Sequence, residues 1–135
     1  MNGSIGKNAT IMIIVLFVIC IFMNNKIKLY AMESSIDEEL IKNLIVGEYN
    51  LRSENSNEYV ICTKDNVENI VITNKYVSWI WFSYEALVDF DVTLKSGGEK
   101  IKTTGFLHMK FNTKEPLKWS VNNGNIRGGE ALTYE

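Results

Sequence analysis

Residues 87–111 read LVDFDVTLKSGGEKIKTTGFLHMKF, and this stretch decides the fold. Apolar and polar side chains alternate on both sides of Gly97-Gly98, the pattern of two half-buried strands joined by a two-residue turn. Centring the turn on the glycines sets Leu94 opposite Ile101, Val92 opposite Thr103, Phe90 opposite Gly105 and Val88 opposite Leu107. Val88, Phe90, Val92 and Leu94 then share one face with Ile101, Leu107, Met109 and Phe111. A slip of one residue would turn one of these sets into water, so the register is strongly specified. The opposite face carries Asp89, Asp91, Thr93, Lys102, Thr104, His108 and Lys110.

The chain on either side extends this β pattern. Strands are expected at 59–63, 67–73, 76–84, 87–95, 100–111 and 117–122, with turn chemistry at Lys64-Asp65-Asn66, Asn74-Lys75, Gly97-Gly98 and 112–116. In the last strand Leu117, Trp119 and Val121 alternate toward the core, and the tail from Arg127-Gly128-Gly129 onward reads as loose. Before the strands, SSIDEELIKNLIV (34–46) reads as an amphipathic helix. Ile36, Leu40, Leu44, Ile41 and Ile45 form its apolar stripe, and Ser34 or Ser35 serves as N-cap, with Ser35 and Glu38 at capping-box spacing. The helix should end near Gly47, before the polar loop 52–58. One helix followed by a run of strands is an α+β pattern, with the helix packed across a curved antiparallel sheet.

An apolar leader precedes this domain. Ala9 to Met23 reads ATIMIIVLFVICIFM without charge, Gly or Pro, and Lys7 and the amino terminus lie before it. Two readings follow, and both put the domain outside the cytoplasm. In the first, residues 1–31 are a signal peptide cleaved after Ala31, and residues 32–135 are secreted. In the second the leader is an uncleaved single-pass anchor, spanning through residues 9–23 and prolonged by Ile27, Leu29 and Tyr30 while Lys26 and Lys28 snorkel to the interface. The net charge of −2 divides along the same line. Residues 1–32 carry three lysines and no acid, for +3, whereas residues 33–135 carry eleven Lys and Arg against sixteen acids, for −5. A net acidic domain with scattered lysines disfavours nucleic acid as a partner. Lysine far exceeding arginine, with abundant Ile and Asn, gives the chain a bacterial composition. Cys20 lies in the leader, so the domain keeps only Cys62 and closes no internal disulfide. Cys62 sits in an apolar run and is expected to act as a small buried hydrophobe.

The run Val88 to Lys95, Gly97-Gly98, Gly105-Phe106-Leu107 and the closing Lys118-Trp119-Ser120-Val121 with Gly124 resemble the cystatin-like and NTF2-like superfamily, over residues 87–125. The resemblance implies a helix wrapped by an antiparallel sheet. Residues 33–58 have room for one long helix, where NTF2-like domains place several, so the simpler cystatin-like layout is the expected one. The superfamily includes enzymes, ligand binders and assembly modules, and fold alone does not choose among them.

Candidate functional residues fall into two groups. His108, the sole histidine, shares a sheet face with Asp89, which lies diagonal to it; an isomerase or dehydratase of NTF2-like type would use such a pair as base and orienting carboxylate. The same alternation of Asp, Thr, Lys and His is what a solvated sheet face selects. The second group is the aromatic run Tyr76 to Tyr84 (YVSWIWFSY), with Val77, Trp79 and Trp81 on one face and Ile80, Phe82 and Tyr84 on the other. It is either a central strand covered on both sides or an exposed aromatic surface using Trp79, Trp81 and Tyr84 to hold a protein partner or a cell-envelope ligand. No metal-ligand spacing, P-loop, dinucleotide fingerprint or nucleophile elbow is present, so neither metal nor cofactor is expected. The sequence therefore points to a non-catalytic extracytoplasmic binding or assembly module. The alternatives are a membrane-anchored component of a cell-envelope or secretion assembly, a secreted inhibitor or immunity factor, and a small enzyme using His108 and Asp89.

Overall fold

The hairpin register expected around Gly97-Gly98 is the one observed. The structure, a computed structural model, describes residues 2–54, 56, 58–114 and 117–127. In chain order it comprises α1 (Asn2–Ser34), α2 (Glu38–Asn43), a π-helical turn at Leu44–Glu48, β1 (Leu51–Ser53), β2 (Tyr59–Val60), β3 (Val67–Ile80), β4 (Ser83–Ser96), β5 (Glu99–Phe111) and β6 (Trp119–Ile126). Leu94 pairs with Ile101, Val92 with Thr103, Phe90 with Gly105 and Val88 with Leu107. Gly97 and Gly98 turn the chain with φ of 59° and 86°, values that glycine adopts without penalty.

The fold is α+β, with a single open six-stranded sheet in the order β2-β1-β6-β5-β4-β3. The sheet is mixed, because β1 runs parallel to β6 while its other pairings are antiparallel. This corrects the all-antiparallel expectation. The chain between β1 and β6, from β2 through β5, supplies the long connection that a parallel pair requires.

The strand boundaries at 73–87 also differ from expectation. Asn74-Lys75 is no turn. It lies inside one long strand, β3, whose register against β4 is broken between Val67 and Asn69 and between Ile72 and Asn74. Each break inserts one unpaired residue, a β-bulge, and reverses which side chains face the core. Thus Ile70 and Ile72 face inward before the second bulge, and Lys75 and Val77 after it. The aromatic run, in turn, is not one strand: the chain reverses at Trp81-Phe82, between Ile80 and its partner Ser83. β3 is the sheet edge, so the doubly covered central strand does not occur. At the C-terminal side β6 runs from Trp119 to Ile126, longer than expected, and Leu117 is left 62% exposed before it begins. Residues 59–63 form only the short β2, and the tail from Gly128 lies outside the described residues.

The inner face of the sheet is buried by the expected helical stripe. Ile36, Ile41, Leu44 and Ile45 join Val88, Phe90, Val92, Leu107, Met109 and Ile126 in one core. Burial of an aliphatic side chain of this size stabilises by about 1.5–3 kcal/mol. The helix start differs from expectation. Asp37, not Ser34 or Ser35, caps α2, its carboxylate accepting a hydrogen bond from the Leu40 N–H at 2.8 Å. The two serines instead end α1, donating to the Tyr30 and Met32 carbonyls. They are committed there because α1 continues without interruption from the leader to Ser34. It is long and apolar enough to cross a membrane, a property that a signal sequence shares.

Two residues make the core sensitive to specific changes. Phe90 is fully buried and its ring lies over Gly105; a β-carbon there would come within 2.4 Å of the ring. Gly105→Ala is therefore expected to lower stability by about 1–3 kcal/mol, the usual cost of overpacking, in urea unfolding followed by circular dichroism. Cys62 is buried as expected, and desolvation pushes its thiol from the ordinary 9.0 up to about 11. The unfolded chain ionises first, so this contribution to stability is complete below pH 9 and is lost as the pH rises toward 11. In a Cys20→Ser variant, Cys62 should stay unreactive toward an aromatic disulfide reagent at mildly alkaline pH until denaturant is added.

Candidate functional site

The expected site residues separate into two places. Asp89 and His108 lie on the outer face of the sheet, away from the helices. Asp89 is opposite Phe106 and Asn74, and His108 is opposite Leu87 and Asn123. The nearest acid partner of His108 is Glu85, with Nε2 3.6 Å from Oε2, and each of these side chains is about a quarter exposed or slightly more. A pairing across 3.6 Å is long for a hydrogen bond, and Glu85 was not among the acids expected beside His108. Its position follows from the register: it sits two residues before Leu87 on the same outward row.

Near Asp89 the outer face has an open depression of about 450 Å³, with Thr73, Thr104, Phe106 and Asn125 around it and Glu54 and Arg127, 3.4 Å apart, at its rim. His108 is not among its lining residues. No group of three or more His, Cys, Asp or Glu side chains stands in metal-binding proximity among the described residues. At the far end of this face Glu68, the bulged residue, accepts from Lys100 at 2.8 Å and approaches Lys95 at 3.9 Å. The Lys100 hydrogen bond, with the charge of both lysines, holds its carboxyl below the usual carboxylate range. It lets two lysines sit directly opposite each other across β4 and β5.

Trp79, Trp81 and Tyr84 do come together, at the β3–β4 reversal. Trp79 and Tyr84 are cross-strand partners, and Tyr84 packs against the core while Trp79 is half-exposed. Trp81 and Phe82 form the turn itself, 91% and 86% exposed. Phe82 meets Trp79 edge-on, with ring centroids 5.7 Å apart. Both turn residues have positive φ, 50° and 62°, the signature of a type I′ reversal that normally takes Asn-Gly. For a bulky side chain this conformation costs about 1–2 kcal/mol per residue. Burial does not offset that cost, because both rings face solvent, and the edge contact of Phe82 with Trp79 offsets only part of it.

Phe82 was not expected beside Trp79, since alternation along a single strand puts them on opposite faces. One signal in the sequence marks the reversal: the inward set changes from odd positions (Val77, Trp79) to even ones (Tyr84, Ala86, Val88). A two-residue turn imposes that change of phase, as it does at Gly97-Gly98.

No family model, curated protein or solved structure matches the chain. The chemistry of the two places is therefore the guide to function. The outer-face pair of His108 and Glu85 has the features of a solvated sheet surface. His108→Ala should change stability by less than about 1 kcal/mol and leave the circular dichroism spectrum unaltered, as measured by urea titration.

Proposed function

We propose that this protein is a membrane-anchored, non-catalytic binding or assembly module, with its α+β domain held on the extracytoplasmic side by α1. The observation that carries the reading is the continuity of α1 into the core. The helix runs unbroken through Leu29-Tyr30-Ala31-Met32, the stretch that a signal peptidase would have to cut, and Leu29 and Met32 pack against the buried core. Cleavage there would remove one of these contacts and fray the other. The apolar residues 9–23 are exposed along the rest of the helix, which suits a lipid environment. The outer face supports the non-catalytic part: His108 is not among the residues lining the depression, and its nearest acid among the described residues is Glu85 at 3.6 Å. The cystatin-like outline, a helix against a sheet, is consistent with this role and belongs to the same proposal.

The specific observation favouring a surface role over a pocket role is the exposed aromatic turn at Trp81-Phe82. It concentrates apolar area at one end of the domain, as contact surfaces do.

The test is the state of the mature chain. Expressed with its full leader in a bacterial host, the protein should remain in the membrane fraction after alkaline carbonate washing, and its intact mass should include residues 1–31. A soluble product beginning at Met32 would contradict the anchored reading.

A further inference from the structure

The aromatic turn and the leader helix share one end of the domain. The α1–α2 junction is fixed to the inner face of the sheet at two points. The Trp119 indole N–H donates to Ser35 Oγ at 3.1 Å, and the Lys75 ammonium donates to the Ile36 carbonyl at 3.0 Å. Trp119 pairs with Phe111 at the end of β5. Glu85 pairs with Lys110 one step earlier, so that end of β5 lies level with the start of β4. The junction therefore stands between the level of Lys75, which pairs with Val88, and that of Trp79, which pairs with Tyr84. α1 packs against β3. From Ile36 the chain runs on to Glu38, whose carboxylate meets the Ile72 N–H, so α1 approaches the junction from the side of the Trp81-Phe82 turn.

The scale of the offset fits a membrane surface. Trp81 lies two residues beyond Trp79, about 7 Å along the strand. From Lys75, which holds Ile36, it lies six residues on, about 20 Å; a helix running beside that strand therefore draws level with the turn between about Met23 and Tyr30. A span of about 20 residues beginning at Ala9 ends at Lys28. The turn thus stands level with the place where such a span meets the headgroups.

The surroundings of the turn carry positive charge. Beside Ser83, the first residue after the turn, a depression is lined by Lys110, Lys114 and Lys118. Lys118 is shared with Glu48 at 3.2 Å. Lys26 and Lys28 lie on the helix side. Glu85 is engaged with His108, and Glu115 lies outside the described residues. Exposed Leu117 completes an apolar and basic end.

We infer that the Trp81-Phe82 turn is a membrane-surface contact: its rings insert at the headgroup–acyl boundary of the bilayer that α1 spans, and the neighbouring lysines contact anionic lipid phosphates. Indole and phenyl rings favour that boundary, and basic side chains near it are attracted by anionic lipids. The inference rests on the anchored reading of α1. It also accounts for the unfavourable backbone at the turn, which presents two large rings at the extreme tip, where an Asn-Gly turn would present none.

The full chain, reconstituted into vesicles of phosphatidylcholine and phosphatidylglycerol, provides the test. Tryptophan emission is followed with lipids brominated near the headgroup end of the acyl chain and, separately, with aqueous iodide. Wild-type emission should be quenched strongly by the brominated lipid and weakly by iodide. In W81N/F82G the bromolipid quenching should fall by more than half. The thermal midpoint of that variant should equal or exceed the wild-type value, because the new turn residues suit the conformation; this readout shows that the fold is kept. Replacing phosphatidylglycerol by phosphatidylcholine should weaken the quenching through the lysines. Unchanged bromolipid quenching in W81N/F82G, or ready iodide quenching in the wild type, would overturn the inference. Flotation of the same vesicles reports the anchor separately. A chain that floats without bromolipid quenching overturns the turn contact alone, and a chain that does not float overturns both readings.

Discussion

The α1–α2 junction is where the architecture is decided. Ile36 is fully buried, its carbonyl is held by Lys75, and the preceding Ser35 is held by Trp119. These contacts reach the two sides of the sheet, β3 and β6, so the junction is fixed across the sheet rather than to one strand. A lysine on the inner face would ordinarily be a burial cost. Here its stem covers apolar surface and its ammonium meets the Ile36 carbonyl in the link between α1 and α2. The direction in which α1 leaves the domain follows from this junction.

From that constraint the two candidate regions acquire different meanings. On the outer face of the sheet the ion pairs are local: Glu68 meets Lys100 and Lys95, and His108 lies 3.6 Å from Glu85. Pairs of this kind contribute little each. The β3–β4 turn is the unusual region, because it combines unfavourable φ angles with near-complete exposure of two large rings. Strain of this kind persists only where the surrounding structure imposes it, here the long ladder of β3 and β4 on either side.

Much of the fold was legible in the residues. The phase of Val88, Phe90, Val92 and Leu94 against Ile101, Leu107 and Met109, together with two glycines, suffices to give the β4–β5 register. The stripe from Ile36 to Ile45 suffices to give a helix and its buried face. The second reversal was hidden because Trp-Phe carries none of the turn chemistry that Gly-Gly does, and hairpin reading relies on such residues. The bulges in β3 were hidden for a related reason: Asn74-Lys75 has turn-like composition, and an inserted residue and a turn interrupt alternation in the same way. Asp37 took the capping role from the serines because a helix arriving from the leader leaves no free N-terminus until Asp37. Of the candidate site, the aromatic residues were visible as types, but their meeting at a tip depended on the unseen turn. The distance between His108 and Asp89 depended on which outward acid leaned toward the imidazole, a choice of rotamer that spacing does not contain.

The central claim is that the junction directs α1 and the aromatic turn to the same end of the domain. Pulsed electron–electron resonance on the full chain in vesicles tests it directly, with Cys20 replaced by serine and spin labels placed at Lys28 paired with Ser83, and at Lys28 paired with Gly97. The 14 residues of β4 separate the two ends of the sheet, about 45 Å at the usual strand rise. A narrow, short distance is expected from Lys28 to Ser83, and a distance to Gly97 longer by tens of ångströms. Equal distances, a reversed order, or a broad distribution to Ser83 would contradict it.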